Sequence, residues 1–181
     1  MEAILQVLRA HPTAHILACA PSNSAADLIA QRLSTLTTTE LLRSNAIFRD
    51  RMGLPEDLVP YSTFQGNHFS LPSVSTLVKY KVIVSTCGHA SFPYNIGMPP
   101  GHFKYIFIDE AGQGTEPEVL TAAIKTLATA QTRVVLSGDP KQLGPVIRSS
   151  IARELGLGMS YLERLMDLPL YQSAQTGRGR S

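Results

Sequence analysis

The stretch that decides the fold is Lys104-Tyr-Ile-Phe-Ile-Asp-Glu-Ala-Gly-Gln113. Its three consecutive apolar residues, 106–108, predict a buried strand, and an unbroken apolar run is typical of a parallel sheet that is covered on both faces. Asp109 and Glu110 follow this strand directly. Ligands of open α/β sheets bind beyond the carboxyl ends of the strands, so the two carboxylates are expected at the edge of the sheet where ligands bind.

The adjacent carboxylates suit a magnesium-dependent reaction. Mg²⁺ prefers oxygen ligands, and Asp109 at the end of a strand can provide one directly or through a water molecule. Glu110 can then polarise an attacking water. The alternative is that both acids merely stabilise the N-terminus of a following helix through the helix dipole.

The chain alternates predicted strands with predicted helices. Such alternation predicts an α/β fold, with a parallel sheet, flanking helices and right-handed crossovers. Strands are expected over residues 15–20, 81–86, 106–108 and 133–137, and helices over residues 1–10, 25–33, 118–127, 151–158 and 160–167.

Polar residues also follow the first predicted strand. Pro21, Ser22 and Asn23 form a turn that leads into a helix, where backbone N–H groups and hydroxyls can converge on a phosphate. The alternative, which is favoured when the turn is considered alone, is that Ser22 or Asn23 simply caps the helix.

Two other predicted strands end in polar residues on the same side. Ser85 and Thr86 close one strand, and a hydroxyl there can bind a phosphate oxygen. Gln142 follows the last strand and offers both donors and an acceptor, which suits the sensing of a phosphate or of its attacking water. The alternative for this last segment is a plain turn at Asp139-Pro140.

Residues 35–80 are predicted to form an irregular excursion, because prolines interrupt them and no long periodic pattern appears. Arg43, Arg49 and Arg51 lie in this region. They can meet nucleic-acid phosphates, but a solvated face is the favoured interpretation, since charged side chains are mostly exposed.

Length and composition fit one globular domain. The chain has 181 residues, of which 44% are hydrophobic, and its net charge of +2 allows a nucleic-acid partner without requiring one. Cys19 and Cys87 lie in apolar runs, which predicts buried thiols and favours a reducing compartment. No apolar run is long enough to span a bilayer, no histidine or cysteine spacing fits a zinc site, and the five histidines are expected to be structural or surface residues.

The order of the motifs resembles one family. Ala20-Pro-Ser-Asn23, Asp109-Glu-Ala-Gly-Gln113 and Gly138-Asp-Pro-Lys-Gln-Leu143 resemble motifs Ia, II and III of superfamily 1 helicases. The closest likeness is to the group containing the nonsense-mediated-decay helicase, and within it to the Armitage and Moloney-leukaemia-virus-ten RNA helicases. The resemblance covers nearly all of residues 1–170 and fades between residues 35 and 78.

The resemblance implies roles for individual residues. It implies ATP and Mg²⁺ as cofactors, with Asp109 holding the metal on the β- and γ-phosphates and Glu110 activating the hydrolytic water. Gln142 would sense the γ-phosphate and couple it to RNA. The residues implied to lie along the RNA backbone are Pro21, Ser22 and Asn23, with Ser85 and Thr86 as weaker candidates on the same rim.

The same resemblance implies partners and a location. Single-stranded RNA is expected to bind through its phosphate backbone without sequence preference. The implied partners are silencing or decay proteins and a second RecA-like domain, and no membrane is expected. The implied location is the cytoplasm, including ribonucleoprotein granules.

The sequence departs from the family pattern in one decisive way. It contains no Gly-x-x-x-x-Gly-Lys-Ser/Thr loop, which family members carry just before the helix that here begins at Met1. Residues 1–170 are therefore expected to form an incomplete first RecA-like domain of the P-loop NTPase type, followed by a flexible tail over 171–181. The expected activity is that of part of an ATP-dependent RNA helicase, with weak or absent ATP hydrolysis by this chain alone. The alternatives are a non-hydrolysing RNA- or partner-binding remnant and an inert fragment with an exposed sheet edge.

Overall fold

The structure is a computed structural model that describes residues 1–120 and 127–171. A five-stranded sheet forms its centre, with its strands in the spatial order Leu41–Arg43, Val82–Thr86, Ile16–Ala20, Tyr105–Ile108 and Arg133–Leu136, and every pair of neighbours is parallel. This confirms the predicted α/β class. The strands of the sheet are β1 (Ile16–Ala20), β2 (Leu41–Arg43), β5 (Val82–Thr86), β6 (Tyr105–Ile108) and β7 (Arg133–Leu136), and a separate hairpin pairs β3 (Phe64–Gln65) with β4 (His68–Phe69).

Short helices flank the sheet. They are α1 (Glu2–Ala10), α2 (Asn23–Arg32), α3 (Val74–Leu77), α4 (Phe92–Asn95), α5 (Ser150–Ala152) and α6 (Tyr161–Met166). Further short helical segments cover Arg51–Gly53, Glu56–Tyr61, Cys87–His89 and Arg153–Leu157. Residues 116–120 are also helical, and the rest of the helix predicted over 118–127 falls largely on 121–126, outside the described residues.

The sheet separates two hydrophobic clusters, one on each face. Alternate residues of β1 supply both, because Leu17 and Cys19 face one cluster whereas Ile16 and Ala18 face the other. All five residues of β1 are buried, which explains its continuous apolar sequence.

The strand β7 lies at one edge of the sheet. Val134 and Val135 are 37% and 39% exposed, although successive side chains of a strand point to opposite faces. Among the described residues neither face of β7 is therefore fully covered.

The irregular excursion predicted over 35–80 contains more order than the sequence indicates. The edge strand β2 falls within it, pairs with β5 and was not predicted, because three residues ending in an arginine give too short a pattern. The interpretation of Arg43 and Arg49 as solvated was wrong: their side chains are 0% and 6% exposed and both form ion pairs with Asp27. Arg51 stays exposed, with its guanidinium 4.4 Å from the centroid of the Phe64 ring.

Both cysteines are buried and free, which confirms their prediction as buried thiols. Burial raises the pKa of the Cys19 thiol, and it raises the pKa of Cys87 to about 12. The tail predicted over 171–181 lies outside the described residues except for Tyr171. None of the helices within 1–120 and 127–171 has the length and apolar character needed to cross a bilayer.

Candidate functional site

The carboxyl ends of β1, β5, β6 and β7 lie along one edge of the sheet, here called the carboxyl rim. The parallel register places Cys19 of β1 opposite Ser85 of β5 and opposite Ile108 of β6, so the residues that follow these strands emerge at the same level. Apart from Gln142, the residues implied to bind nucleotide or RNA all lie within three residues of such a strand end. The shared parallel register is what gathers them.

The turn after β1 positions Ser22 and Asn23. Ser22 caps α2, because its Oγ accepts a hydrogen bond from the backbone N–H of Ala25 at 3.2 Å. The capping alternative therefore describes Ser22 correctly, although a capping serine at a helix N-terminus can still face a phosphate. Asn23 is the first residue of α2, is exposed, and has its Oδ1 3.1 Å from Nη2 of Arg43.

Asp109 is held from two sides. Its backbone N–H donates to the carbonyl of Cys19 at 2.8 Å, which fixes it at the end of β6. Its Oδ1 accepts a hydrogen bond of 2.7 Å from the hydroxyl of Ser137, at the end of β7. The carboxylate is half-buried, and Oδ2 forms no hydrogen bond within residues 1–120 and 127–171.

Glu110 adopts an unusual backbone conformation. Its φ of +54° is the only positive φ of a non-glycine residue among the described ones. Such a conformation costs on the order of 1–2 kcal/mol for an L-residue, and strain of this kind is concentrated at functional sites. The carboxylate is half-buried, and its Oε2 accepts a hydrogen bond from Nε2 of Gln113 at 3.2 Å.

The loops after β6 and β7 pack backbone against backbone. A Cβ on Gly112 would lie 2.8 Å from the carbonyl oxygen of Asp139, and one on Gly138 would lie 3.0 Å from the amide nitrogen of Ala111. The amide of Ala111 also donates to the carbonyl of Ser137 at 2.8 Å. The two glycines therefore allow the two motifs to meet.

Gln142 is exposed and bonds within its own loop. Its Nε2 donates to Oδ2 of Asp139 at 3.3 Å, while Oδ1 of Asp139 accepts from the amide of Lys141 at 2.9 Å. This Asp-Pro turn matches the turn alternative, and it also orients the Gln142 side chain through the carboxylate.

Ser85 and Thr86 differ in accessibility. Ser85 is 2% exposed, and its hydroxyl donates to the carbonyl of Thr86 at 3.2 Å, which disfavours direct contact with RNA. Thr86 is half-buried at the end of β5 and is the better placed of the two.

A cleft of about 320 Å³ lies beside the carboxyl rim. It brings together the three segments that resemble helicase motifs, because its walls come from the turn after β1, the loop after β6 and the chain that follows Gln142. The lining residues are Pro21, Ser22, Gln113, Thr115, Glu118 and residues 143–146.

The donor set around Asp109 fits Mg²⁺ held with a nucleotide. Within the described residues no group of three or more His, Cys, Asp or Glu side chains can hold a metal ion. Mg²⁺ in nucleotide sites is bound by only one or two carboxylates and completes its shell with water and phosphate oxygens. A single oriented carboxylate at a strand end is compatible with that arrangement.

Some residues of this region were missed by sequence reasoning. Ser137 and Asp139 bond directly to predicted site residues, and their position right after a buried strand was the available signal. Arg43 and Asp27 were missed because their pairing joins α2 to β2 across 16 residues, which no local pattern reveals. Burial lowers the pKa of Arg43 to about 10, so its guanidinium stays charged at neutral pH.

Comparison with known proteins finds similarity to proteins named as helicases. A family model described as an AAA domain matches residues 71–150. The chain is 42% identical to the putative helicase mov-10-B.1 of Danio rerio, over 98% of this chain and 18% of that protein. It is 41% identical to the RNA helicase Mov10l1 of Homo sapiens, over 99% of this chain and 14% of that protein.

A more distant relative comes from an insect. The chain is 31% identical to the probable RNA helicase armi of Drosophila melanogaster, over 95% of this chain and 16% of that protein. The chain thus spans less than a fifth of the length of each of these relatives. Its sequence is similar to Mov10- and Armitage-type RNA helicases, and the similarity corresponds to one segment of their length.

Proposed function

We propose that this chain is part of the motor of an ATP-dependent RNA helicase, which couples ATP hydrolysis to movement on RNA or to its remodelling. The observation that carries the proposal is the convergence at the carboxyl rim of Asn23, Asp109 and the loop of Gln142, with one cleft joining their segments. Residues 1–170 are proposed as one partial RecA-like domain. The similarity to proteins whose names call them RNA helicases supports this proposal.

The nucleotide side of the proposed motor consists of three residues. A bound Mg²⁺ would neutralise charge on the ATP phosphates. Asp109 is proposed as its protein ligand, with Ser137 holding the carboxylate in place. Glu110 is proposed to polarise the hydrolytic water and Gln142 to sense the γ-phosphate, since both lie in loops that contact each other through Gly112 and Gly138.

The RNA side is the turn after β1. Pro21 and Ser22 line the cleft, and Asn23 is exposed beside them at the start of α2. Backbone amides at a helix N-terminus favour phosphate, so binding along the strand is expected to be independent of base sequence. Thr86 is a further candidate contact with RNA. Ser85 is proposed only to support Thr86, through the hydrogen bond from its hydroxyl to the carbonyl of Thr86.

We propose partners and a location from the resemblance to the helicase family. Single-stranded RNA is the proposed substrate, and silencing or decay proteins and a second RecA-like domain are the proposed partners. A cytoplasmic location, including ribonucleoprotein granules, is proposed on the same ground.

A second candidate function is RNA binding without hydrolysis. The observation that favours it is the sequence itself, which contains no Gly-x-x-x-x-Gly-Lys-Ser/Thr loop to cradle the phosphates. In that case the carboxyl rim would bind RNA and the chain would not turn over ATP.

The experiment measures both activities of the purified chain. Binding of a fluorescent single-stranded RNA is followed by anisotropy at several salt concentrations, and magnesium-dependent release of phosphate from ATP is followed with and without RNA. RNA binding that weakens with salt supports the proposed function. Turnover that Glu110→Gln abolishes identifies this chain as an enzyme by itself, whereas RNA binding without turnover favours the second candidate. Absence of RNA binding by the folded chain contradicts both.

A further inference from the structure

A network of buried charged side chains lies beneath the first turn of α2. The carboxylate of Asp27 is shared by two guanidinium groups: Nε of Arg43 is 2.8 Å from Oδ1, and Nη2 of Arg49 is 2.6 Å from Oδ2. Arg49 also donates to the side-chain oxygen of Asn45 at 2.7 Å and to the carbonyl of Gly53 at 2.7 Å. The network ties α2 to the end of β2 and to the loop that follows.

Arg43 uses all three of its guanidinium nitrogens. Besides the bond from Nε to Asp27, Nη1 donates to the carbonyl of Ser44 at 2.6 Å, and Nη2 donates to Oδ1 of Asn23 at 3.1 Å. The residue is only 1% exposed. A planar fork with its donors fixed in this way has one orientation, which a lysine ammonium cannot reproduce.

The contact with Arg43 decides which way the Asn23 amide points. A guanidinium has hydrogen-bond donors and no acceptor, so only the oxygen of the Asn23 amide can face Arg43. The NH₂ group of Asn23 can then donate a hydrogen bond to another partner. Asn23 is exposed at the carboxyl rim, so this group is presented as a donor at the surface proposed to meet the RNA backbone.

The network also carries charge. Two guanidinium groups facing one carboxylate leave one net positive charge under a helix N-terminus, which itself favours anions. Two further ionisable groups interact with Arg43. Burial raises the pKa of the Cys19 thiol, and burial and Arg43 together lower the pKa of His89 to about 4, so neither group adds charge at neutral pH. The site beneath Asn23 is therefore electropositive.

We propose that Arg43 is a positioning residue for RNA binding, which holds the Asn23 side chain so that its NH₂ group donates to a phosphate oxygen of single-stranded RNA. This inference rests on the proposed function and adds a residue and an orientation to it. Arg43 itself does not touch the RNA, because it is buried. Arg49 supports the arrangement by holding the second oxygen of Asp27.

The test compares variants of the purified chain by RNA anisotropy, with folding checked by circular dichroism and thermal melting. Arg43→Lys keeps the positive charge but loses the planar guanidinium, and Asn23→Ala removes the NH₂ donor. The double variant tests whether the two side chains act together. Arg32→Gln is the matched control for removing charge, since Arg32 lies at the other end of α2. Asn23→Asp is compared with Ser24→Asp, which adds the same charge at the next residue, which is also exposed.

Loss of one hydrogen bond to a charged group predicts about tenfold weaker binding for Asn23→Ala. Arg43→Lys is expected to show a loss of similar size with an unchanged salt dependence, and the double variant no further loss, whereas Arg32→Gln stays within about twofold. Asn23→Asp keeps an oxygen for Arg43 and loses the donor, so it is expected to stay folded and to bind more weakly than Ser24→Asp. This comparison remains decisive if Arg43→Lys does not fold.

The inference is overturned if the losses of the two single variants multiply in the double variant, or if Asn23→Asp binds as well as Ser24→Asp. Either result can occur while the unmodified chain binds RNA, and the proposed function then stands. If the unmodified chain does not bind RNA at all, the proposed function fails first and the inference fails with it.

Discussion

The hydroxyl of Ser137 donates a 2.7 Å hydrogen bond to Oδ1 of Asp109, so the end of β7 orients the carboxylate that follows β6. The two residues are 28 positions apart, and the parallel pairing of β6 with β7 brings them together. A hydrogen bond to a charged acceptor is stronger than one between neutral groups. This contact is therefore expected to couple the second and third helicase-like segments energetically.

A double-mutant cycle tests this coupling. Asp109→Ala, Ser137→Ala and the combined variant are compared by urea unfolding, and the interaction energy between the two side chains is expected to be about 1 kcal/mol. Ser34→Ala combined with Asp109→Ala is the control, because Ser34 is an exposed residue of the connection after α2. Additive effects of Asp109→Ala and Ser137→Ala would contradict the coupling.

The close approach of the two loops predicts a large cost for a small substitution. A Cβ on Gly112 would meet the backbone carbonyl of Asp139 at 2.8 Å, and a backbone atom cannot swing aside. Gly112→Ala is therefore expected to lower the free energy of unfolding by about 2 kcal/mol or more. Gly88→Ala is the control, since nothing lies within 4 Å of its added Cβ. Equal melting temperatures for the two variants would show that the loops are not packed as described.

The shared carboxylate predicts that Asp27 is more important for stability than a surface acid. Asp27→Asn leaves two guanidinium groups without their counter-charge in a buried setting, which is expected to cost about 3–5 kcal/mol. Glu40→Gln breaks the partly exposed pair with Lys81 and is expected to change the unfolding midpoint little. Urea unfolding of both variants measures the difference, and similar midpoints would contradict a buried network.

Buried histidines predict a pH dependence of stability. Burial lowers the pKa of His89 to about 4, and Nε2 of His89 has no hydrogen-bond partner among the described residues. Between about pH 6.5 and 4 the unfolded chain binds the proton and the folded chain does not, so stability falls as the pH falls through this window.

The expected loss attributable to His89 is about 1–2 kcal/mol between pH 7 and pH 5. His89→Gln should reduce the pH dependence of the melting temperature, whereas His68→Gln, which replaces an exposed histidine of β4, should leave it unchanged. A His89→Gln chain with the same pH dependence as the unmodified chain would contradict this assignment. His102, whose pKa burial also lowers to about 4, accounts for a remaining dependence in the same window.

The cysteines predict low reactivity in the folded chain. Both thiols are buried with raised pKa values, and the thiolate is the reactive form. A disulfide reagent at pH 8 is therefore expected to modify neither Cys19 nor Cys87 until denaturant unfolds the chain. Rapid labelling of either thiol without denaturant would show that its side of the sheet opens to solvent.

The sheet was predictable because its strands are unbroken apolar runs that end in polar residues. The structure has β1, β5, β6 and β7 within one residue of the expected bounds. These strand ends also carried the motifs, so the sequence predicted which side chains the carboxyl rim would gather. The exception is Ser85, whose accessibility depends on the direction of one side chain at the end of β5.

The features that the sequence did not predict depend on contacts between residues that are distant in sequence. Arg43 looks like a surface residue in the sequence, and only the fold shows that Asp27 and Asn23 satisfy its donors. The positive φ of Glu110 was equally hidden, because a glutamate has no local preference for that conformation.

The most direct measurement of the central claim, that RNA binds along the carboxyl rim, is photo-crosslinking. Single-stranded RNA containing 4-thiouridine is crosslinked to the purified chain, and the modified residues are identified by mass spectrometry. We predict crosslinks on the RNA side, within residues 20–23 and at Thr86, with fewer after Asn23→Asp. The amino ends of the strands carry a second cleft where RNA could bind instead. It has a volume of about 290 Å³ and is lined by the basic residues His11, Lys104 and Arg133. Crosslinks concentrated there, and absent from the carboxyl rim, would contradict the account.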